Sequence, residues 1–544
     1  MKKTRVILQG ALGRGLQTSC AGRLKTVDYA FMVEPFRLRN EKDGAWRCEF
    51  WGKVLRSAIL TNFHLQDPEL DAMIRKTVSD MLDTQTPDGC ISSYPEEKQT
   101  TGWDIWGRKY VLLALLRYYD LVEQDERVKN GCIRMLDHLM TQVGPGKKKI
   151  IDCGWHDGLA ASSILGAVVG VYRISGEKRF LEFARYIIST GCSKKNNIFN
   201  AVLEGVPPCQ LGNGKAYEMT SCFQGMAELY LLHPEPAYRT ICEKYFSAVC
   251  EREIFVTGAA GAKDVWGEYW YDGAFKQTFS DAGGLGETCV TATLLHYCAR
   301  VAEMTGDSRP LDVAECSLYN SILGVMAPDG SRWAHVNPTP LTGGGSKVPA
   351  DDQIGRGFKS PFDGHDCCRA QGPEGLAMAP ELAVTCRKGG AALNFFEPLQ
   401  ALLPGGEKIT VTGSYPVDET AAVSVEAPGV FTLFVRIPSF CTALSLNGEK
   451  LEITPGTYAE ISRVWNKEDK LLMTFDLAIR ETTAPADPAY TAFLRGPLVL
   501  ATDSRGKVPE ALFQTDYKGL HLVDYISAGK EMCKENTLTV WHKL

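Results

Sequence analysis

The sequence predicts a mainly helical chain that ends in β structure. Three observations carry this. Apolar helical runs recur in pairs through the first two thirds of the 544 residues, each pair joined by a short polar turn. Turn-bounded runs of β-forming residues follow after about residue 381. The length exceeds what one compact core supports, so two or three domains are expected.

The turns come first in the argument. They are Gln66-Asp67-Pro68, Gln124-Asp125-Glu126, Ser175-Gly176-Glu177, His233-Pro234-Glu235 and Thr305-Gly306-Asp307. Helix-like runs at 51–62, 111–122, 160–172, 216–232 and 290–304 precede them, and runs at 70–82, 128–140, 180–188, 238–249 and 311–323 follow. Helices joined this way form αα-hairpins. An array of such units at intervals of roughly 50–70 residues stacks as a solenoid or closes into a barrel. The long connections at 191–214, 256–286 and 328–364 favour a barrel whose loops gather at one rim. Beyond residue 381, runs at 391–396, 408–412, 422–425, 431–436, 443–448 and 471–475 alternate with Pro and Gly turns, as in an antiparallel sandwich. Asn447-Gly448 reads as a hairpin turn. The end, from about Lys507, is less regular. The boundary falls at 385/386.

Composition excludes some function classes. Hydrophobic residues make up 44% and charged residues 23%, as in ordinary globular proteins, and the net charge is −6. No basic field exists to draw in nucleic acid or an anionic membrane, so a neutral or weakly polar substrate is expected. The apolar run after Met1 is broken at Gln9, too short for a secretory core, and no run is read as the roughly 20 apolar residues of a membrane span. A cytoplasmic location follows, with most of the 18 cysteines as reduced thiols.

Two cysteines carry the chemistry. Cys367-Cys368 stands in His365-Asp366-Cys367-Cys368-Arg369, and Glu287-Thr288-Cys289 lies about eighty residues earlier. Three thiols and a carboxylate have the number and softness for one zinc ion. Read alone, the vicinal pair lacks the usual Cys-x2-Cys spacing and also fits a reduced structural pair or a redox pair. Sugar-binding candidates are Trp103, Trp106, Arg108, His156 with Asp157, Tyr217, Glu218, Trp266 and His365, because sugar rings need an aromatic face and planar donors and acceptors. Each has a plainer reading. The tryptophans serve equally as barrel packing, His156 as a helix-start residue, Glu218 and Glu287 as carboxylates at helix N-termini, and Arg108 as the partner of a structural acid. No phosphate loop, dinucleotide fingerprint or Ser-His-Asp signature is found.

These residues resemble the β-L-arabinofuranosidase family, glycoside hydrolase family 127, along nearly the whole chain. The resemblance rests on Val33-Glu34-Pro35-Phe36, the blocks at 46–53 and 103–110, Ala216-Tyr217-Glu218-Met219 and Gly286-Glu287-Thr288-Cys289. It continues through Leu318-Tyr319-Asn320, Cys367-Cys368 with Gly372-Pro373, Val435-Arg436-Ile437-Pro438 and Arg495-Gly496-Pro497. It implies an (α/α)6 barrel followed by a β-sandwich. It implies a zinc ion on Glu287, Cys289, Cys367 and Cys368, and retaining hydrolysis with Cys367 as nucleophile. The general acid it implies is a glutamate in the loop before Glu287. Glu268 fits as the residue after Gly267, and Asp264 and Asp272 remain alternatives. The expected partner is a plant-type oligosaccharide or glycoside ending in a β-L-arabinofuranoside or related sugar, and the sandwich leaves a face for a homodimer. Two other readings stay open: a lyase or isomerase using Tyr217 or His156, and a non-catalytic carbohydrate-binding protein with a structural zinc.

Overall fold

The computed structural model describes residues 3–42, 46–261, 268–280, 283–345, 347, 367–531 and 535–544. Among these, six helices form a closed inner ring: Phe50–Leu65, Asp104–Leu121, Leu165–Ser175 (preceded by the short Leu159–Ser162), Ala216–Leu232, Thr288–Thr305 and Cys367–Ala383. Each packs on the next, and the last packs back on the first. Six outer helices cover them: Pro68–Leu82, Glu126–Gln142, Lys178–Ser189, Pro236–Arg252, Arg309–Ser317 and, against the sixth inner helix, Ala11–Ser19. The barrel is therefore (α/α)6, and the solenoid alternative falls away.

Local sequence explains the alternation. Outer helices bury one stripe; Lys178–Ser189 hides only Phe180, Phe183, Ala184 and Ile187, spaced i, i+3, i+4, i+7. Inner helices are covered all round, and Phe50–Leu65 exposes almost nothing. Two of the polar turns cap the following helix through an aspartate. Asp67 Oδ1 accepts the Leu70 N–H at 2.9 Å, and Asp125 Oδ1 accepts that of Arg127 at 2.7 Å. Gly52 lets two inner helices touch, since a Cβ there would stand 2.4 Å from the Tyr110 carbonyl oxygen.

The β region holds more than the single sandwich expected. One sheet runs in the order Arg5–Leu8, Leu399–Leu402, Lys408–Gly413, Thr420–Glu426, Leu471–Phe475, Cys441–Leu446, Glu449–Leu451. A second runs Thr457–Val464, Val430–Ile437, Gly390–Leu393, Val384–Arg387. Their pairing is antiparallel except where Gly390–Leu393 meets Val430–Ile437 in parallel. The irregular C-terminal end forms a third sheet, built on Arg480–Ala484, Asp487–Arg495, Leu498–Asp503, Leu520–Asp524 and Gln514–Tyr517. Asn447 and Gly448 both take positive φ, 53° and 87°, and close the hairpin that pairs Leu446 with Glu449.

Two expectations need correction. The 385/386 boundary cuts the strand Val384–Arg387, and the first strand, Arg5–Leu8, pairs with Leu399–Leu402 instead of joining the barrel. Its buried Val6 and Leu8 supply the reason. The stretch His156–Ser175 is long and apolar enough by composition to cross a membrane, although the sequence reading found no such run; 67% of its most apolar window is buried inside the protein, as suits an inner barrel helix.

Candidate active site

The inner helices bring their N-terminal ends together at one rim, and those ends supply the site. Glu49 precedes Phe50–Leu65, Trp106 lies in the first turn of Asp104–Leu121, and Tyr217 and Glu218 open Ala216–Leu232. Glu287 is the N-cap of Thr288–Thr305, Cys289 is that helix's second residue, and Cys367 and Cys368 begin the last inner helix. Converging helix N-termini favour anionic side chains, which suits a set of thiolates and carboxylates. The Glu287 side chain makes no capping bond to its own helix, so it is available to the cluster. A short antiparallel pair, Gly284–Glu287 with Val336–Thr339, sets Glu287 opposite Val336 and brings His335 alongside. Gly372 lets the Cys367 helix approach Trp333, where a Cβ would stand 2.3 Å from the indole.

The four sequence-predicted ligands meet. One ligand atom from each of Glu287, Cys289, Cys367 and Cys368 lies within 4.8 Å of the others, and all four residues are buried. Cys368 Sγ is 3.4 Å from Cys289 Sγ and 3.9 Å from Cys367 Sγ. Glu287 Oε1 is 3.5 Å from Cys368 Sγ and 4.0 Å from Cys367 Sγ. A tetrahedral ion with metal–sulfur bonds of about 2.3 Å has sulfur–sulfur edges of about 3.8 Å and sulfur–oxygen edges of about 3.6 Å. The cluster matches those edges, and the second Glu287 oxygen is buried without a hydrogen-bond partner among the described residues. The residues therefore fit a four-coordinate, thiolate-preferring metal ion.

The protonation pattern singles out one sulfur. Hydrogen bonds from the Cys289 and Cys368 thiols hold Cys367 well below the usual thiol value against the effect of burial, and His335, with Nδ1 at 3.9 Å, adds to this. Burial pushes Cys289 and Cys368 well above it. Cys367 is also the most accessible of the three, 5% exposed against 0%.

Glu268 stands over Cys367. Its Oε1 lies 3.9 Å from Cys367 Sγ, and its Oε2 accepts a 2.6 Å ion pair from Lys215. Burial, the largest effect, pushes this carboxyl up, but the Lys215 charge and hydrogen bonds with Glu287 and Lys215 together bring Glu268 down to about 2. Burial, then the Glu268 charge, pushes Glu287 well up. Without a metal ion, negative charge in this pair therefore favours Glu268 over Glu287.

The other predicted residues divide. Trp103, His156, Tyr217 and Glu218 line the same end of the barrel. The His156 ring lies 5.4 Å from that of Trp103, and its Nε2 lies 4.0 Å from Glu218 Oε1. Burial, then Lys215, lowers His156 to about 3, so the imidazole is neutral. His156 and Asp157 both take left-handed backbone conformations, φ 58° and 54°, a strained turn of the kind that clusters at functional sites. Both Glu218 carboxylate oxygens are buried without a hydrogen-bond partner among the described residues, and burial raises the carboxyl to about 7. Trp106 and Tyr217 form the floor. The Trp106 indole donates to Glu49, and the Tyr217 hydroxyl bonds Tyr110 and Gln371.

Arg108 does not line the cleft. It is buried, pairs with Asp104 at 2.9 Å and reaches His138 and Gln142 on the outer helix, so it partners a structural acid and not a substrate carboxylate. Asp272 is tied to Arg252 at 2.7 Å and approaches Cys209, which removes it as the acid. Asp264, Trp266 and His365 lie outside the described residues.

Sequence reasoning missed Lys53, Glu49, Lys215 and His335. Lys53 Nζ sits 3.2 Å from Glu49 Oε1 and 4.0 Å from Cys289 Sγ. The available signal was charge out of place: Lys53 and Lys109 interrupt helices that are otherwise covered all round. His335 had no signal, since only strand pairing brings it to Glu287.

Fold and site together define a helical-barrel enzyme with a thiolate–carboxylate centre. The model of the β-L-arabinofuranosidase GH127 catalytic domain matches residues 22–381, and that of the GH127 middle domain matches residues 392–477. The chain therefore belongs to the GH127 β-L-arabinofuranosidase family and is a glycoside hydrolase. A non-reducing end β-L-arabinofuranosidase of Bifidobacterium longum subsp. longum is 22% identical over 504 residues, covering 83% of this chain and 74% of that protein. The structure of a GH127 β-L-arabinofuranosidase from Geobacillus stearothermophilus T6 aligns with TM-score 0.77 at 18% identity, over 99% of this chain and 100% of that one. Another GH127 β-arabinofuranosidase aligns with TM-score 0.78 at 18% identity, over 99% and 96%. At that identity the structural likeness speaks for the fold alone.

Proposed function

We propose that the protein removes a terminal β-L-arabinofuranosyl or related sugar from a plant-type glycoside, with retention, using Cys367 as nucleophile and Glu268 as acid/base. The observation that carries this is the stacking of Glu268 over Cys367 at 3.9 Å, above the four-residue cluster. Glu287, Cys289, Cys367 and Cys368 would hold a zinc ion, which keeps thiols deprotonated at neutral pH.

The remaining chemistry belongs to the chain. The Cys367 thiolate attacks the anomeric carbon as the bond to the leaving oxygen breaks, and a proton from Glu268 goes to that oxygen. With Glu287 ionised as a metal ligand, that proton would stand on Glu268 before the first step. Water then gives a proton to Glu268 and attacks the same carbon, the carbon–sulfur bond breaks, and the thiolate returns; two displacements give retention. Lys215 orients Glu268. His156 offers a neutral imidazole, and the unpartnered Glu218 oxygens offer acceptors for sugar hydroxyls. The Tyr217 hydroxyl, already engaged by Tyr110 and Gln371, is poorly placed for the lyase reading.

Three reduced thiols at the centre need a reducing compartment, from which we infer a cytoplasmic location. The test is a panel of aryl furanosides and pyranosides assayed with and without chelator, beside elemental analysis of the purified protein. The reading expects zinc near one per chain and chelator-sensitive release of L-arabinose with retained anomeric configuration. Metal-free protein with full activity, or an inverted product, contradicts it.

A further inference from the structure

Three sulfurs enter the cluster, and only one can attack, so something must keep the others as spectators. Cys289 carries a distinctive neighbour. The Lys53 ammonium lies 4.0 Å from its sulfur, with no exposed side-chain surface. The ammonium is boxed by aromatic faces, 4.8 Å from the Tyr217 ring centroid, 5.1 Å from Tyr110 and 5.7 Å from Trp106. Its other anionic contact is Glu49 Oε1 at 3.2 Å, and the second Glu49 oxygen is held by the Trp106 indole N–H. Lys53 is thus locked from both sides and aimed at Cys289, on the inner helix Phe50–Leu65.

Charge counting gives the contact a task. Three thiolates and a carboxylate bring four negative charges to a divalent ion, leaving two uncompensated in a buried site. Such charge persists only when a fixed cation offsets it. An ammonium pointing at a thiolate occupies its lone pair and lowers its nucleophilicity. We propose that Lys53 is a positioning residue that pins Cys289 as a spectator thiolate, so that the metal stays anchored at Cys289 while Cys367, on the Glu268 side, engages the sugar. This rests on the metal-centred reading above and extends it to a residue that touches neither the reacting carbon nor the metal.

The test compares Lys53→Met, which keeps length and removes charge, with Lys53→Arg, which restores charge. Zinc content is measured on proteins as purified, and zinc release to a colorimetric chelator is followed by stopped flow. The proposal expects the methionine variant to bind zinc about 10–100-fold more weakly, as for loss of a residue that orients a metal ligand. It also expects kcat to fall with KM unchanged within about twofold, since Lys53 does not reach the substrate, and partial recovery of both by arginine. Should Lys53→Met not fold, Glu49→Gln, which loosens the lysine without removing it, must speed zinc release in the same direction. Wild-type zinc release and kcat in Lys53→Met, or in Glu49→Gln where only that variant folds, overturns the role of Lys53 while leaving the function intact. A wild-type protein that holds no metal overturns both.

Discussion

Replacing Glu268 by glutamine keeps the shape of the side chain and removes its proton. Glu268 Oε1 lies 3.9 Å from Cys367 Sγ. A sugar carbon in near-attack contact sits about 3–3.5 Å from the sulfur, so the oxygen leaving that carbon falls within the carboxyl's reach. Loss of proton donation at such a site costs about 10²–10⁴ in rate, or about 3–5 kcal/mol of barrier. The full cost applies only where the leaving oxygen needs a proton. An alkyl β-L-arabinofuranoside should lose all of it, whereas release of a nitrophenolate, a good leaving group, should slow by less than about tenfold in the first step. The variant also swaps a charged partner of Lys215 for a neutral one. Breaking a buried ion pair costs about 3–5 kcal/mol, and the retained amide hydrogen bond should reduce that to about 1–3 kcal/mol. The assay is a series of arabinofuranosides of graded leaving-group pKa, with single-turnover release read by stopped flow. A loss equal across the series, or no loss on the alkyl glycoside, refutes the assignment.

Other outcomes follow from the same geometry. Arg108→Met should lower the unfolding midpoint, since it strands the buried Asp104 carboxylate at a cost of about 3–5 kcal/mol, yet leave KM unchanged; a raised KM restores Arg108 to the cleft. Glu397 caps the outer helix Ala11–Ser19 by accepting the N–H groups of Leu12 at 3.1 Å and Gly13 at 3.2 Å, and burial pushes it up to about 7. Because the folded group titrates above the ordinary carboxyl value of about 4.5, its contribution is complete below that value and is lost as pH rises through 7. The pH-dependent loss is about 3 kcal/mol. Glu397→Gln should therefore flatten the stability profile between pH 4.5 and 7, measured by denaturant midpoints, and an unchanged profile contradicts the buried-cap reading.

Much of the barrel was legible because polar turns punctuate its first five hairpins, and because the outer helices carry one apolar stripe each. The sixth inner helix was hidden. Cys367–Ala383 contains Pro373 and Pro380, which mask a helical pattern that ring closure nonetheless imposes. The first strand was hidden for a different reason: Arg5–Leu8 finds its partner almost four hundred residues away. At the site, the four clustered residues were named because the Glu-x-Cys and Cys-Cys segments match the family's pattern, while spacing alone left a structural or redox pair open. Arg108 was misassigned because its partner, Asp104, lies one helical turn earlier and the sequence does not reveal which face of the ring it occupies. Lys53 showed in the sequence only as a charge out of place, and the roles of Lys53 and Lys215 emerged once Cys289 and Glu268 had positions, since a buried lysine acquires meaning from the anion it meets.

The claim at the centre is that the Cys367 sulfur forms a bond to the sugar. Peptide mapping by mass spectrometry, after incubation with an arabinofuranose-derived electrophile, tests it most directly. One sugar adduct on Cys367, suppressed by excess L-arabinose, is the expected result. A sugar adduct on Glu268 in its place, or none on an active enzyme, contradicts it.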